Sequence, residues 1–132
     1  MTTQQQSRVP ADWPGSDAAF IAFESILKQG KRHGVDFTYQ PPTQGRRMDM
    51  DMEIDFLFSN PPDLAMQVQE GFYAHPSGIS THARDILNKA QLAGYGKTLI
   101  VLDHDKLMQD PDWLISEALQ YRDHSRLGRR GM

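Results

Sequence analysis

Asp55, Gln67 and Gln69 are the residues whose types and spacing could do chemistry. A carboxylate binds hard cations through oxygen, and an amide can add a carbonyl ligand or hydrogen-bond a phosphate. They lie in the stretch Met48–Tyr73, MDMDMEIDFLFSNPPDLAMQVQEGFY, which reads as two strands joined by a tight turn. In the first, Asp49, Asp51, Glu53 and Asp55 fall on one face and Met50, Met52, Ile54 and Phe56 on the other. Asn60, Pro61, Pro62 and Asp63 then break the ladder, because proline fixes φ and removes a donor. The second strand sets Leu64, Met66 and Val68 against Ala65, Gln67 and Gln69. Antiparallel pairing would bring Asp55 level with the two glutamines, where a metal ion or a phosphate could be met.

Plainer readings stand beside this one. A solvated face accounts for Asp49, Asp51 and Glu53, and an acid on an edge strand discourages aggregation. Two glutamines in an apolar strand need hydrogen-bond partners if buried, and a structural pair would satisfy them. Tyr73 either stacks on a base or packs on a helix, and His75, beside Pro76, reads as a loop residue. Asp103, His104 and Asp105 could hold a metal, but more simply end a strand and cap the next helix. The seven methionines read as core filler.

The elements that must position these residues follow from the rest of the chain. Ser16 reads as an N-cap with Asp17 in the first turn, opening a helix over about 16–29 that carries Phe20, Phe23, Ile26 and Leu27 inward and stops at Gly30. Val35–Tyr39 is a short β-prone run. A second helix from Ser80 or Thr81 is expected to turn Ile86, Leu87, Ala90 and Leu92 or Ala93 to the core, with Asp85 and Lys89 as an i,i+4 pair. Thr98–Leu102 has no polar interruption, as in a strand covered on both faces, and a crossover connection is implied. Asp110-Pro111 opens a last helix with Trp113, Leu114, Ala118 and Leu119 on its apolar face. The order α-β-β-β-α-β-α predicts an α/β fold, a mixed sheet flanked by helices in at most three layers.

Composition bounds the function classes. The 132 residues fit one domain, expected over 13–128 between a disordered tail, 1–12, and a basic tail, 129–132. With no cysteine there is neither a disulfide framework nor a thiolate zinc site, which suits a reducing compartment such as the cytoplasm. No apolar run is long enough to span a bilayer, so no membrane partner is expected. A net charge of −3 gives no global attraction to nucleic acid, yet the basic residues cluster. Lys28, Lys31, Arg32 and His33 follow the first helix, Arg46 and Arg47 precede the acidic strand, and Arg122, Arg126, Arg129 and Arg130 crowd the end. From charge alone these are solvated surface; around a metal site they would form a phosphate-binding rim.

The element order, with Asp55 followed by a polar-x-polar pair at Gln67 and Gln69, resembles the PD-(D/E)XK nuclease superfamily. The run AMQVQEGFYAH looks like a segment of its very-short-patch-repair and phage-type branches, and ARDILNKAQLAGYGKTLIVLDHDKL is similar to the unit that closes their sheet. The resemblance covers roughly residues 13–128 and implies a restriction-endonuclease-like core that cleaves duplex DNA with Mg²⁺. Asp55 would anchor the metal and Gln67 would take the place of the second acid, as a neutral ligand. Gln69 stands where a lysine is usual, and His75 where the repair-type branch has a histidine near the scissile phosphate. Lys31, Arg32, Arg46, Arg47 and Tyr73 would hold the DNA, with a homodimer and a phage or virion location as further implications. The two glutamines depart from the pattern. They keep open a nucleic-acid-binding module without catalysis, and a structural or assembly protein such as a virion component.

Overall fold

In the computed structural model, which describes residues 9–39, 54–69 and 81–125, Ser16 starts the first helix. Its hydroxyl accepts from the Ala19 backbone N–H at 3.1 Å, meeting one of the donors a helix start leaves unsatisfied. Helix α1 (Asp17–Lys28) ends at Gln29, and Gly30 takes the left-handed conformation (φ +90°) that glycine adopts at least cost. The buried stripe differs from the expected one. Ala18, Ala19, Ala22, Ser25 and Ile26 face inward, while Leu27 is exposed. Small side chains let the helix backbone lie close to the sheet. Phe20 and Phe23 sit at its flank, their ring centroids 5.1 and 5.3 Å from that of Trp13.

The four strands β1 (Phe37–Tyr39), β2 (Phe56–Phe58), β3 (Leu64–Val68) and β4 (Thr98–Leu102) form one sheet in the order β1-β2-β3-β4. The first three make an antiparallel meander, with Tyr39 opposite Phe56 and Phe56 opposite Met66. Helix α2 (Thr81–Gly94) then carries the chain across, so β4 lies parallel to β3 with Val68 level with Leu102. One sheet face holds Phe37, Phe56, Phe58, Leu64, Met66, Val68, Ile100 and Leu102 against α1 and two short helices, α3 (His104–Gln109) and α4 (Pro111–Ala118). On the other, Ala65, Leu99 and Val101 pack with Ile54 and with Leu92 of α2. The chain is thus α/β, with a mixed four-stranded sheet between helices.

The face that α2 turns inward overturns its expected pattern. Asp85, Asn88 and Leu92 are buried, whereas Ile86 and Leu87 are 45% and 56% exposed. Ala90 and Ala93 are also exposed. A polar face toward a sheet needs partners, and Lys89 at its edge has them: Nζ donates to the Leu99 carbonyl at 3.1 Å and lies 3.5 Å from Asp123. Asp123 Oδ2 in turn accepts from the Val101 backbone N–H at 3.0 Å. Two side chains therefore occupy outward-facing backbone groups of β4, the edge strand, doing what a fifth strand would do.

The last helices keep their expected capping. Asp103 accepts from the Lys106 N–H at 3.1 Å and Asp110 from the Trp113 N–H at 3.2 Å, with Pro111 at the first turn of α4. Leu114, Ile115 and Ala118 are buried, but Trp113 is exposed, its ring 4.7 Å from that of His124. Beyond α4 the chain turns back through Tyr121 (φ 65°), whose hydroxyl donates to the Pro62 carbonyl at 2.6 Å. Glu117 holds this return, bonded twice by Arg122 (2.8 and 2.9 Å) and once by His124 (3.0 Å).

Those bonds, from Arg122 first and His124 second, lower the Glu117 carboxyl from 4.5 to about 2. The ionised form is favoured in the folded state, so its contribution is complete above pH 4.5 and fades as pH falls toward about 2. Glu117→Gln should therefore melt below the parent at pH 6, with the gap closing on acidification through that window. A gap that stays constant in thermal melts would contradict the assignment.

Candidate functional site

The register brings Asp55, Gln67 and Gln69 to one end of the sheet. Phe56 pairs with Met66, so Asp55, one residue before β2, is level with Gln67, and both project from the face that α2 covers. They are joined by a clasp of two hydrogen bonds. The Asp55 backbone N–H donates to Gln67 Oε1 (3.2 Å), and the Val68 backbone N–H donates to Asp55 Oδ2 (2.8 Å). Asp55 thus ends the β2–β3 ladder with its carboxylate where a strand carbonyl would otherwise accept. Its side chain is half-buried, and Gln67 retains only 3% of its exposure.

Gln69 extends the pairing with β4 through its backbone N–H, which donates to the Leu102 carbonyl at 3.0 Å. Its side chain reaches the other way. Nε2 donates to Asp85 Oδ2 at 3.3 Å, and Asp85 is fully buried on α2. The site therefore has a second carboxylate, delivered by the helix. Sequence reasoning missed it by pairing Asp85 with Lys89. The available signal was the spacing to Leu92, since positions 85, 88 and 92 share one helical face. One turn on from Asp85, the buried Asn88 amide nitrogen has no acceptor among the described residues.

The other expected participants are placed elsewhere. Asp103 spends its carboxylate capping α3, so the Asp103-His104-Asp105 run ends a strand and starts a helix. Lys31 and Arg32 lie at the opposite end of the sheet, near Phe37 and Phe58. Three residues of strand separate Phe58 from Asp55, roughly 10 Å at a strand's rise. There the Arg32 backbone N–H and guanidinium, with the Asn60 amide, bind Asp36. The backbone bond from Arg32 leads, with that from Asn60 next, in holding the Asp36 carboxyl below the usual carboxylate range. Arg32 is thus tied into a loop. Arg46, Arg47, Tyr73 and His75 lie outside the described residues, as do Met48–Glu53.

Among the described residues no three His, Cys, Asp or Glu side chains gather as a metal centre. The oxygen donors at this end are instead the Asp55 carboxylate and two amides, hard donors of the kind Mg²⁺ accepts, with the buried Asp85 carboxylate behind Gln69. Gln67 Oε1 has a second lone pair beyond the one facing the Asp55 N–H. A divalent cation fits this chemistry.

The clasp has its own structural consequence. Asp55→Ala leaves the Val68 N–H, on a fully buried residue, without its acceptor and should cost about 1–3 kcal/mol in urea unfolding. Asp55→Asn, which keeps a carbonyl oxygen, should lose less. An alanine variant as stable as the parent would mean that the clasp is not formed in solution.

Comparison with protein-family models, with curated proteins and with solved structures found no match to this chain.

Proposed function

We propose that this chain is a PD-(D/E)XK-like protein whose Asp55 end hydrolyses DNA phosphodiester bonds weakly with a divalent cation. The observation that carries the reading is the topology together with what it delivers. An antiparallel meander, a helical crossover and a parallel fourth strand gather Asp55, Gln67, Gln69 and Asp85 at one end of the sheet. Asp55, with the amide oxygen of Gln67, would hold the cation. When bound, Mg²⁺ neutralises charge on the phosphodiester and acidifies water. The residues of the chain do the rest. Asp55 is oriented by the Val68 N–H, Gln67 is locked by the Asp55 N–H, and Gln69 orients water at the mouth. With neutral amides where an acid and a lysine are usual, turnover is slow.

A second reading, a nucleic-acid-binding module without catalysis, is favoured by the clasp itself. Its two hydrogen bonds tie Gln67 Oε1 to the Asp55 N–H and Asp55 Oδ2 to the Val68 N–H, and Gln67 is nearly sealed from solvent.

Supercoiled plasmid incubated with the purified protein should be nicked in Mg²⁺ or Mn²⁺ and spared in chelator. Asp55→Asn, the variant that keeps the fold, should reduce nicking by about a hundredfold. Nicking that survives Asp55→Asn, or intact plasmid in both metals, would overturn the hydrolytic reading. DNA binding that is salt-sensitive but metal-independent, with no nicking, would establish the second.

A further inference from the structure

We infer that Asp85 is a positioning residue: by holding one Nε2 hydrogen of the Gln69 amide it fixes which way that amide is turned, and so leaves the Gln69 oxygen available to a ligand. The consequence for cation binding rests on the hydrolytic reading above; the hold of Asp85 on Gln69 does not.

The argument starts from what each group can offer. An ionised carboxylate only accepts, whereas a glutamine amide has a donating and an accepting end. Asp85 Oδ2 lies 3.3 Å from Gln69 Nε2. Turning the amide over would set Gln69 Oε1 against a carboxylate oxygen, two acceptors in contact within a fully buried environment on the Asp85 side. The orientation of the amide is therefore chosen by Asp85. Gln69 Oε1 is the other arm of the planar amide, away from that carboxylate, and the residue is half-exposed.

This changes what position 69 can do. A lysine would donate and carry positive charge. Gln69 has one Nε2 hydrogen committed to Asp85, and it offers an acceptor oxygen to whatever enters. That oxygen suits a divalent cation or a water that must be held by its proton. Asp85 reaches neither directly; it acts through Gln69. Placement on a rigid helix makes the control firm, because α2 is anchored to β4 by Leu92 and by Lys89 one turn after Asp85.

The test uses the full chain labelled with ¹⁵N, with Mn²⁺ as the probe. In the parent, one Gln69 Nε2 proton should be shifted downfield and protected from exchange relative to the amide of free glutamine. Asp85→Asn, nearly isosteric, should weaken that signature, since asparagine can bond either end of the Gln69 amide and no longer selects one. Calorimetry should show Mn²⁺ affinity falling about tenfold in Asp85→Asn, the usual cost of losing a group that orients a ligand. In a Gln69→Leu background the same Asp85 substitution should cost no further affinity, because the residue it acts through is gone. A purely structural role for Asp85 predicts equal losses in both backgrounds, and that result would overturn the inference. So would a Gln69 amide signature unchanged by Asp85→Asn. Should the parent neither bind Mn²⁺ nor nick DNA, the hydrolytic reading fails by itself. The amide signature in that same sample still upholds or overturns the hold of Asp85 on Gln69.

Discussion

A buried carboxylate must be given partners, and that requirement shapes this fold around α2. Asp85 has no exposed surface, and Asn88 and Leu92 follow it on the inward face. Burying that face in place of Ile86 and Leu87 costs apolar burial and ordinarily costs polar desolvation as well. It is tolerated because the sheet answers with polar groups of its own. Gln69 donates to Asp85, and the Leu99 carbonyl accepts from Lys89. The helix–sheet interface is consequently apolar at Leu92, Leu99 and Val101 and polar toward the Asp55 end. A polar seam inside a small domain is a specific arrangement. It admits one rotation of the helix, since a turn of α2 by one residue would strand the carboxylate against the apolar patch.

The same economy closes the sheet. Strand β4 is at the edge, and its outward Leu99 carbonyl and Val101 N–H are taken by Lys89 and Asp123. Asp123 can reach that edge because the chain after α4 is folded back. Glu117 grips Arg122 and His124, and Tyr121 is bonded to Pro62 in the β2–β3 turn. Ser125 completes the unit, its N–H and hydroxyl both donating to Asp123 Oδ1. The last described segment is therefore part of the sheet's hydrogen-bond accounting, and it fixes the crossover helix from outside through the Lys89–Asp123 pair.

Much of this was legible in the sequence, and the misses share a cause. The alternation around Asp55, the proline-rich turn, the polar-x-polar pair at Gln67 and Gln69, and the uninterrupted run Thr98–Leu102 are local patterns, and local patterns fix strands. From them the antiparallel β2–β3 pair and the meeting of Asp55 with Gln67 followed, as did the crossover to β4. Caps were equally readable at Ser16, Asp103 and Asp110, because each acts within three residues. What was misread, Leu92 apart, was which side of α2 faces the sheet. Periodicity assumes that burial follows hydrophobicity, and here long-range hydrogen bonds to β3 and β4 override it. Trp113 was misplaced for a related reason, its ring being drawn outward to His124. The α1 stripe failed differently. Alanines win the inward positions by being small, and the large rings that define the pattern on paper lie beside them. Lys31 and Arg32 were grouped with the site by charge alone, and charge carries no information about which end of the sheet a loop occupies.

The charge at the Asp55 end has a consequence for how any polyanion would meet it. The pattern that the sequence resembles, two acids and a lysine, sums to one negative charge. Asp55 and Asp85, when ionised, with two neutral glutamines sum to two, and Lys89, one turn from Asp85, is committed to Leu99 and Asp123. Under the hydrolytic reading, a phosphodiester approaching this end is repelled until a cation is present, and a cation is held more firmly once the phosphate adds its oxygens. The two bindings are then linked with equal strength in both directions, as thermodynamic reciprocity requires. Under that reading, a glutamine where the pattern has a lysine would do more than omit a transition-state charge. It would leave neutralising the phosphate to the ion, and Asp85, by fixing the Gln69 amide, would keep an oxygen available for that ion.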